Sequence, residues 1–320
     1  MLAVVGGIGC WLWDDYWSNR EAIYRHPIPR GSTTSDADEE DDWTVAPGPL
    51  LRLWPAVAPL SETEERQDVP VLEVFAPARE LRNGAAIIVM PGGAYHGYTR
   101  HEAAPVAQWW AQRGVAAFVL RFRLAPRHRH PAQLLDAQRA VRYVRATAAQ
   151  WKIDRDRIGV IGFSAGGHLA SLVSTIWAPG NPAAADEVER FSSRPDVQIL
   201  LYPVISMERN MSRWTSTALM GDDPPVAMIE ELSTHKRVTA ATPPAFIAHA
   251  VNDSNALVAN SDLYASALNE AGVAHLYLRL ETGRHGLGLG GGWTQPCLAW
   301  LRQRGFLAHP ASGATTRSAP

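Results

Sequence analysis

Ser164 stands in "RIGVIGFSAGGHLAS" between Gly162 and Gly166, after an apolar run and before a helix-forming one. A serine hydroxyl is a weak nucleophile unless a histidine takes its proton, and that histidine needs a carboxylate to fix its tautomer. The chemistry indicated is acyl transfer, with Ser164 as nucleophile on a sharp strand-to-helix turn. The glycines suit such a turn, because a Cβ two residues to either side would crowd it. A helix starting at Ala165 would also aim its first N–H groups at the serine oxygen and favour negative charge there. The alternative is a glycine-rich turn kept only for helix–sheet packing, so the partners decide.

Candidate bases downstream are His168, His235, His249, His275, His285 and His309. His168 lies one turn into the helix and is expected to project away from the serine. His249 and His275 fall inside apolar runs, where a packed histidine is the ordinary reading. His285 sits in "ETGRHGLGLG", a glycine-rich loop after the last apolar run, from which an imidazole can reach the serine. It is the expected base. For the acid, Asp222 and Asp223 read as a surface turn, Asp262 as a helix-start charge, and Glu281 as too near His285 in the chain. Asp253 follows the run 245–250 directly and is the expected carboxylate. An oxyanion hole needs two N–H donors, each worth roughly 3–4 kcal/mol of barrier. Ala165 offers one, and Gly93 or Ala94 in "IIVMPGGAYHGY" the other. Tyr95 and His96 flank that loop, as leaving-group contacts or as packing beside a glycine turn.

Positioning these groups requires regular elements. Apolar runs at 85–90, 115–122, 157–163, 197–202, 245–250 and 275–280 read as buried strands. Helical patterns separate them at 102–113, 131–149, 165–177, 260–271 and 295–304. In 131–149, Leu134, Ala137, Val141, Val144 and Ala148 form one apolar stripe. The alternation predicts an α/β fold, a mostly parallel sheet with helices on both faces, whose chemistry gathers at the carboxyl ends of the strands. The segment 206–242 interrupts the alternation and reads as a small cap-like insertion. Within it Met211 or Trp214 is placed to line an acyl pocket, or the tryptophan to close a loop onto the surface.

Composition narrows the function. A net charge of −2 gives no electrostatic case for nucleic acid or an anionic membrane. Two cysteines, Cys10 and Cys297, make no disulfide framework and read as unpaired, and no Cys/His spacing suits zinc. The apolar start, "MLAVVGGIGCWLW", is too short to span a bilayer and lacks the basic residues that open a secretory signal. A trimmed signal, a lipidated Cys10 and a segment packed on the domain all stay open, and with them a cytoplasmic or a secreted location. Residues 1–45 read as an extension ending in an acidic linker, 46–308 as the catalytic domain and 309–320 as a disordered tail. Trp11, Trp13, Trp17, Trp43 and Trp54 follow no regular spacing, which favours surface cover over a sugar-binding module.

The pieces "PGGAY", "FVLRFRLAP", "HPAQLLDAQRAVRYVR", "IDRDRIGVIGFSAGGHLAS", "TPPAFIAHAVND" and "HGLGLG" make the stretch 53–307 resemble bacterial α/β-hydrolase esterases of the acetyl-esterase, acetylxylan-esterase and feruloyl-esterase-like group. The resemblance implies a Ser-Asp-His triad at Ser164, Asp253 and His285 and an oxyanion loop at Gly92, Gly93 and Ala94. It implies a serine carboxylesterase for short acyl esters of a small molecule or carbohydrate, needing no metal or cofactor. Two departures stand out. Ala94 replaces a usual third glycine, so the loop must tolerate a Cβ there, and Ala103 follows Glu102 where many members have glycine. Pro91, where a related branch has histidine, favours the polysaccharide-esterase-like branch. A serine peptidase or amidase of the same fold and a non-catalytic hydrolase-fold binding protein remain as alternatives. Oligomeric state is not legible.

Overall fold

A computed structural model describes residues 49–307. The expected extension and linker at 1–45, with Cys10, Trp11, Trp13, Trp17 and Trp43, and the expected tail at 309–320 lie outside the described residues. The strands are β1 (Leu50–Arg52), β2 (Val71–Phe75), β3 (Ala86–Met90), β4 (Ala116–Arg121), β5 (Ile158–Phe163), β6 (Val197–Leu201), β7 (Ala245–Ala250) and β8 (His275–Leu280). They form one open sheet in the order β1-β2-β4-β3-β5-β6-β7-β8. The β1–β2 and β2–β4 pairs are antiparallel and every other pair is parallel. This is the α/β-hydrolase fold.

The interior strands β3, β5, β6 and β7 are buried at every residue, as continuous apolar runs require when helices cover both faces. Two strands have no counterpart among the expected runs. β1 is three residues long, and β2 carries Glu73 in mid-strand. That glutamate is buried because Arg121 of β4 pairs with it at 3.0 Å.

The helices are α1 (Ala104–Ala111), α2 (Ala132–Ala146), α3 (Ala148–Trp151), α4 (Ala165–Thr175), α5 (Arg209–Met220), α6 (Val226–Leu232), α7 (Ala259–Glu270) and α8 (Thr294–Gln303). The stripe of Leu134, Ala137, Val141, Val144 and Ala148 is buried throughout. Its helix divides at Thr147, whose hydroxyl donates to the Tyr143 carbonyl at 2.8 Å and competes with the helical ladder. The helix expected from residue 102 starts two residues later. Arg100–Glu102 forms a separate 3-10 turn, Ala103 turns the chain at φ −102° and ψ −107°, and Pro105 occupies the first turn, where no N–H is needed. The insertion at 206–242 folds as α5, α6 and the 3-10 turn Thr234–Arg237. Cys297 is buried on α8 and free. No helix among the described residues is long and apolar enough to cross a membrane.

The chain leaving β4 is anchored by a fully buried ion pair. Arg123 donates to both oxygens of Asp136 on α2, the shortest contact being 2.7 Å, and its own backbone N–H adds a bond of 3.0 Å. Burial pushes the Asp136 carboxyl up, and Arg123 pulls against that shift. Breaking such a pair strands a buried charge. Arg123→Leu is therefore expected to cost roughly 3–5 kcal/mol in urea unfolding. The Arg123→Leu/Asp136→Leu double variant should lose less than the single one. A double variant as unstable as the single would show that packing, not charge, dominates there.

Candidate active site

Ser164 is the single residue between the end of β5 and the start of α4, at φ 52° and ψ −118°. Positive φ strains a residue with a Cβ, so the surroundings must enforce it. The Ser164 N–H donates to Leu201 of β6 at 3.1 Å, and its carbonyl accepts from His168 and Val204 at 3.0 and 3.1 Å. A Cβ on Gly162 would lie 2.1 Å from the Gly166 carbonyl oxygen, and one on Gly166 would lie 2.0 Å from that of Met90. Both glycines are thus required for α4 to rest against β5 and the end of β3.

His285 lies in the loop after β8 and Asp253 in the turn after β7, whose strands are neighbours. His285 Nε2 is 2.8 Å from Ser164 Oγ and its Nδ1 is 2.8 Å from Asp253 Oδ2. A carboxylate accepts, so Nδ1 carries the proton and Nε2 is left to accept from the serine hydroxyl. Asp253 is buried, and its Oδ1 accepts the N–H groups of Asn255 and Ala256 at 2.9 and 3.1 Å. Behind it, His249 Nε2 is 3.3 Å from Oδ2 and donates to the Ala256 carbonyl at 2.9 Å, while its Nδ1 accepts from Ser261. Burial alone would raise the Asp253 carboxyl. The bonds from His249 and His285 outweigh it and hold the group well below the usual carboxylate range.

Ala165 opens α4, so its N–H has no carbonyl four residues back to serve it. In the opposing loop, Gly92 donates to Glu102 Oε2 at 2.8 Å and is already engaged. No hydrogen bond takes up the N–H of Gly93 or Ala94 among the described residues. Gly93, Ala94 and Tyr95 have φ of 125°, 52° and 64°. The loop holds the Ala94 Cβ, but in the left-handed region, at a cost of roughly 1–2 kcal/mol.

Tyr95 does not line the site. It is fully buried, its hydroxyl donates to His168 Nδ1 at 2.7 Å, and its ring meets Phe122 edge-on at 5.8 Å. His168 is turned away from Ser164, as expected, and donates from Nε2 to the Leu232 carbonyl at 2.8 Å. Burial lowers the His168 pKa to about 4, so it is neutral near pH 7. A cavity of about 690 Å³ opens beside His285, lined by Asn252, Thr282, Gly283, Arg284, Gly286, Leu287 and Gly291. His96, Met211 and Trp214 are not on its wall. His96 is exposed and Met211 half-buried. Trp214 is 78% exposed on α5, so it neither lines that cavity nor closes a loop onto the surface. Trp54 is half-buried, with the Arg139 guanidinium 4.6 Å over its ring.

The roles of three residues escaped the sequence reading. Glu102 bonds Gly92 and, through Oε1, the Tyr202 hydroxyl at 2.7 Å, and His249 supports Asp253. For His249 a usable signal exists, a histidine four residues before the acid at the end of the same strand. Glu102 and Tyr202 carry no such local sign.

The BD-FAE family profile matches residues 72–268. An acetylxylan esterase of Xylanibacter ruminicola is 34% identical over 219 residues, which are 66% of this chain and 42% of that protein. Endo-1,4-beta-xylanase B of Butyrivibrio fibrisolvens is 34% identical over 63% of this chain and 32% of its own length. The chain thus spans less than half of these two curated relatives. Among solved structures, an acetyl ester-xyloside bifunctional hydrolase from Caldicellulosiruptor lactoaceticus is 41% identical with a TM-score of 0.78, covering 82% of this chain and 98% of that one. A thermophilic esterase from Thermogutta terrifontis, Est2, is 25% identical with a TM-score of 0.66, covering 84% and 96%.

The depressed Asp253 carboxyl makes stability depend on pH with a definite sign. Its contribution is complete above the unfolded carboxylate value, roughly 3.9, and is lost as pH falls toward the lower folded value. Melting temperatures measured from about pH 7 down to about pH 3 should therefore fall more steeply for the wild type than for Asp253→Asn. Parallel curves would show that Asp253 is not held low.

Proposed function

The chain belongs to the BD-FAE family of α/β-hydrolases, and from that footing we propose that it is a serine carboxylesterase that removes short acyl groups, acetyl above all, from carbohydrate esters. One observation carries the reading. Ser164, His285 and Asp253 are joined by two hydrogen bonds of 2.8 Å, with the serine on a strained turn at the end of β5.

In this reading Ser164 Oγ attacks the ester carbonyl carbon while His285 Nε2 takes the hydroxyl proton. Asp253 holds Nδ1–H and stabilises the imidazolium that forms. The tetrahedral oxyanion sits between the Ala165 N–H and the N–H of Gly93 or Ala94, and a fixed donor is worth roughly 3–4 kcal/mol there. Collapse expels the leaving alcohol, which takes the proton from His285. Water, deprotonated by the same imidazole, then attacks the acyl-enzyme and releases the short acid and free Ser164. The acetyl preference and the carbohydrate leaving group are supported by what the relatives are called, an acetylxylan esterase and an acetyl ester-xyloside hydrolase.

The test is hydrolysis of p-nitrophenyl acetate, butyrate and octanoate, followed by acetylated xylo-oligosaccharide. Acetate is expected to be the fastest of the three, and Ser164→Ala to lose at least about 10⁴-fold in kcat. Turnover that survives Ser164→Ala would assign the chemistry to another residue. Faster cleavage of aminoacyl amides than of esters of similar size would make the protein a peptidase.

A further inference from the structure

The proposed reaction needs two loops held in register, the one with Gly93 and Ala94 and the one with His285. Both are tied to one buried carboxylate. Glu102, 1% exposed at the end of the turn Arg100–Glu102, accepts the Gly92 N–H on Oε2 at 2.8 Å and the Tyr202 hydroxyl on Oε1 at 2.7 Å. The Tyr202 oxygen in turn accepts the N–H of Gly288, three residues past His285, at 3.0 Å. The Tyr202 ring meets the His285 ring edge-on with centroids 5.1 Å apart. On the same turn, His101 Nε2 donates to the Gly286 carbonyl at 3.0 Å and lies 3.8 Å from Glu102. An unbroken path thus runs from the oxyanion loop through Glu102 and Tyr202 to the histidine loop.

The donors fix the protonation states. Gly288 can only donate, so the Tyr202 proton points to Glu102, and Gly92 also donates to that group. Both Glu102 oxygens accept, which is the pattern of a carboxylate. Tyr202 itself has φ 36° directly after β6, and strain of this kind concentrates where a side chain is held for function.

We propose that Glu102 and Tyr202 are positioning residues that lock the oxyanion loop to the histidine loop, and that the Glu102 charge supports the imidazolium formed at His285 during attack. This rests on the esterase reading above. Charged and titratable groups around His285 are Asp253 at Nδ1, Tyr202 edge-on to the ring with Glu102 behind its hydroxyl, His101 on the Gly286 carbonyl, and Arg284 beside it in its own loop; Glu102 in turn meets Tyr202 and lies 3.8 Å from His101. Burial raises the Glu102 pKa, and the bonds from Tyr202 and Gly92 and the charges of His101 and His285 oppose that rise. Tyr202 is raised by burial and by Glu102, so its phenol stays protonated and donating.

The experiment compares Glu102→Gln, Tyr202→Phe and the double variant on p-nitrophenyl acetate, with melting temperatures to verify folding. Each single variant should lose on the order of ten- to a hundredfold in kcat, with KM changed less than about threefold. Because the two act as one unit, the double variant should be no worse than the worse single one. A carboxylate favours a nearby imidazolium, so in Glu102→Gln the acid limb of kcat/KM should move to lower pH, while in Tyr202→Phe, which keeps the charge, it should not. Losses that multiply in the double variant, kcat within about twofold of wild type, or an unmoved acid limb in Glu102→Gln would overturn the assignment. A wild type inert toward acetyl esters would instead overturn the esterase reading, a result seen before any variant is made.

Discussion

The closeness with which α4 can approach the end of β3 governs the whole carboxyl edge of the sheet. Gly166 rests against the Met90 carbonyl, and Gly162 against the carbonyl of Gly166 itself. With those contacts closed, the chain leaving β5 has one residue in which to turn. That residue is Ser164, and its positive φ is the geometric result. Where the serine stands then decides which loops can reach it. The neighbouring carboxyl ends of β7 and β8 deliver Asp253 and His285, and the end of β3 delivers the loop with Gly93. Strain at one residue is thus held by ordinary packing in many others.

A second pattern is that polar groups near the site have fixed hydrogen-bond directions. His285, His249 and His168 each meet a group that can only accept, and this determines which ring nitrogen bears the proton. His168 is fully buried, and burial lowers its pKa to about 4, so a charged ring is costly there. It holds Tyr95 and the Leu232 carbonyl and takes no part in the proposed proton transfers. His285 alone among the three is partly open to solvent and bonded to Ser164.

Much of this was legible in the chain, for physical reasons that differ by element. The strands β3 to β7 could be read because burial on both faces demands unbroken apolar runs. β2 could not, since Glu73 breaks its run and only the distant Arg121 makes that glutamate tolerable. Ser164, Asp253 and His285 were placed together from the glycine-flanked serine, the glycine-rich loop around His285 and the strand ends, and the structure brings them within hydrogen-bond reach. For Tyr95 the chain left two readings open, because a position beside the Gly93 loop says nothing of direction; the structure takes the packing one, and at φ 64° the side chain turns inward to His168. Trp214 misled, as an aromatic residue that the fold leaves in solvent. Glu102 and Tyr202 are separated by 100 positions, and each alone resembles a common surface acid or core aromatic. Only the folded chain shows them as a pair.

His168 joins α4 to the insertion by donating to the main-chain carbonyl of residue 232 and ignoring its side chain. A backbone acceptor is supplied by every amino acid, so this bond asks nothing of the side chain at 232, whereas the bond from Ser171 of the same helix to the Thr234 hydroxyl, at 2.9 Å, does depend on its partner. The tie of the insertion to α4 thus tolerates any side chain at 232 that leaves the main chain in place and requires a hydroxyl at 234, while Trp214, exposed on α5, takes no part in it.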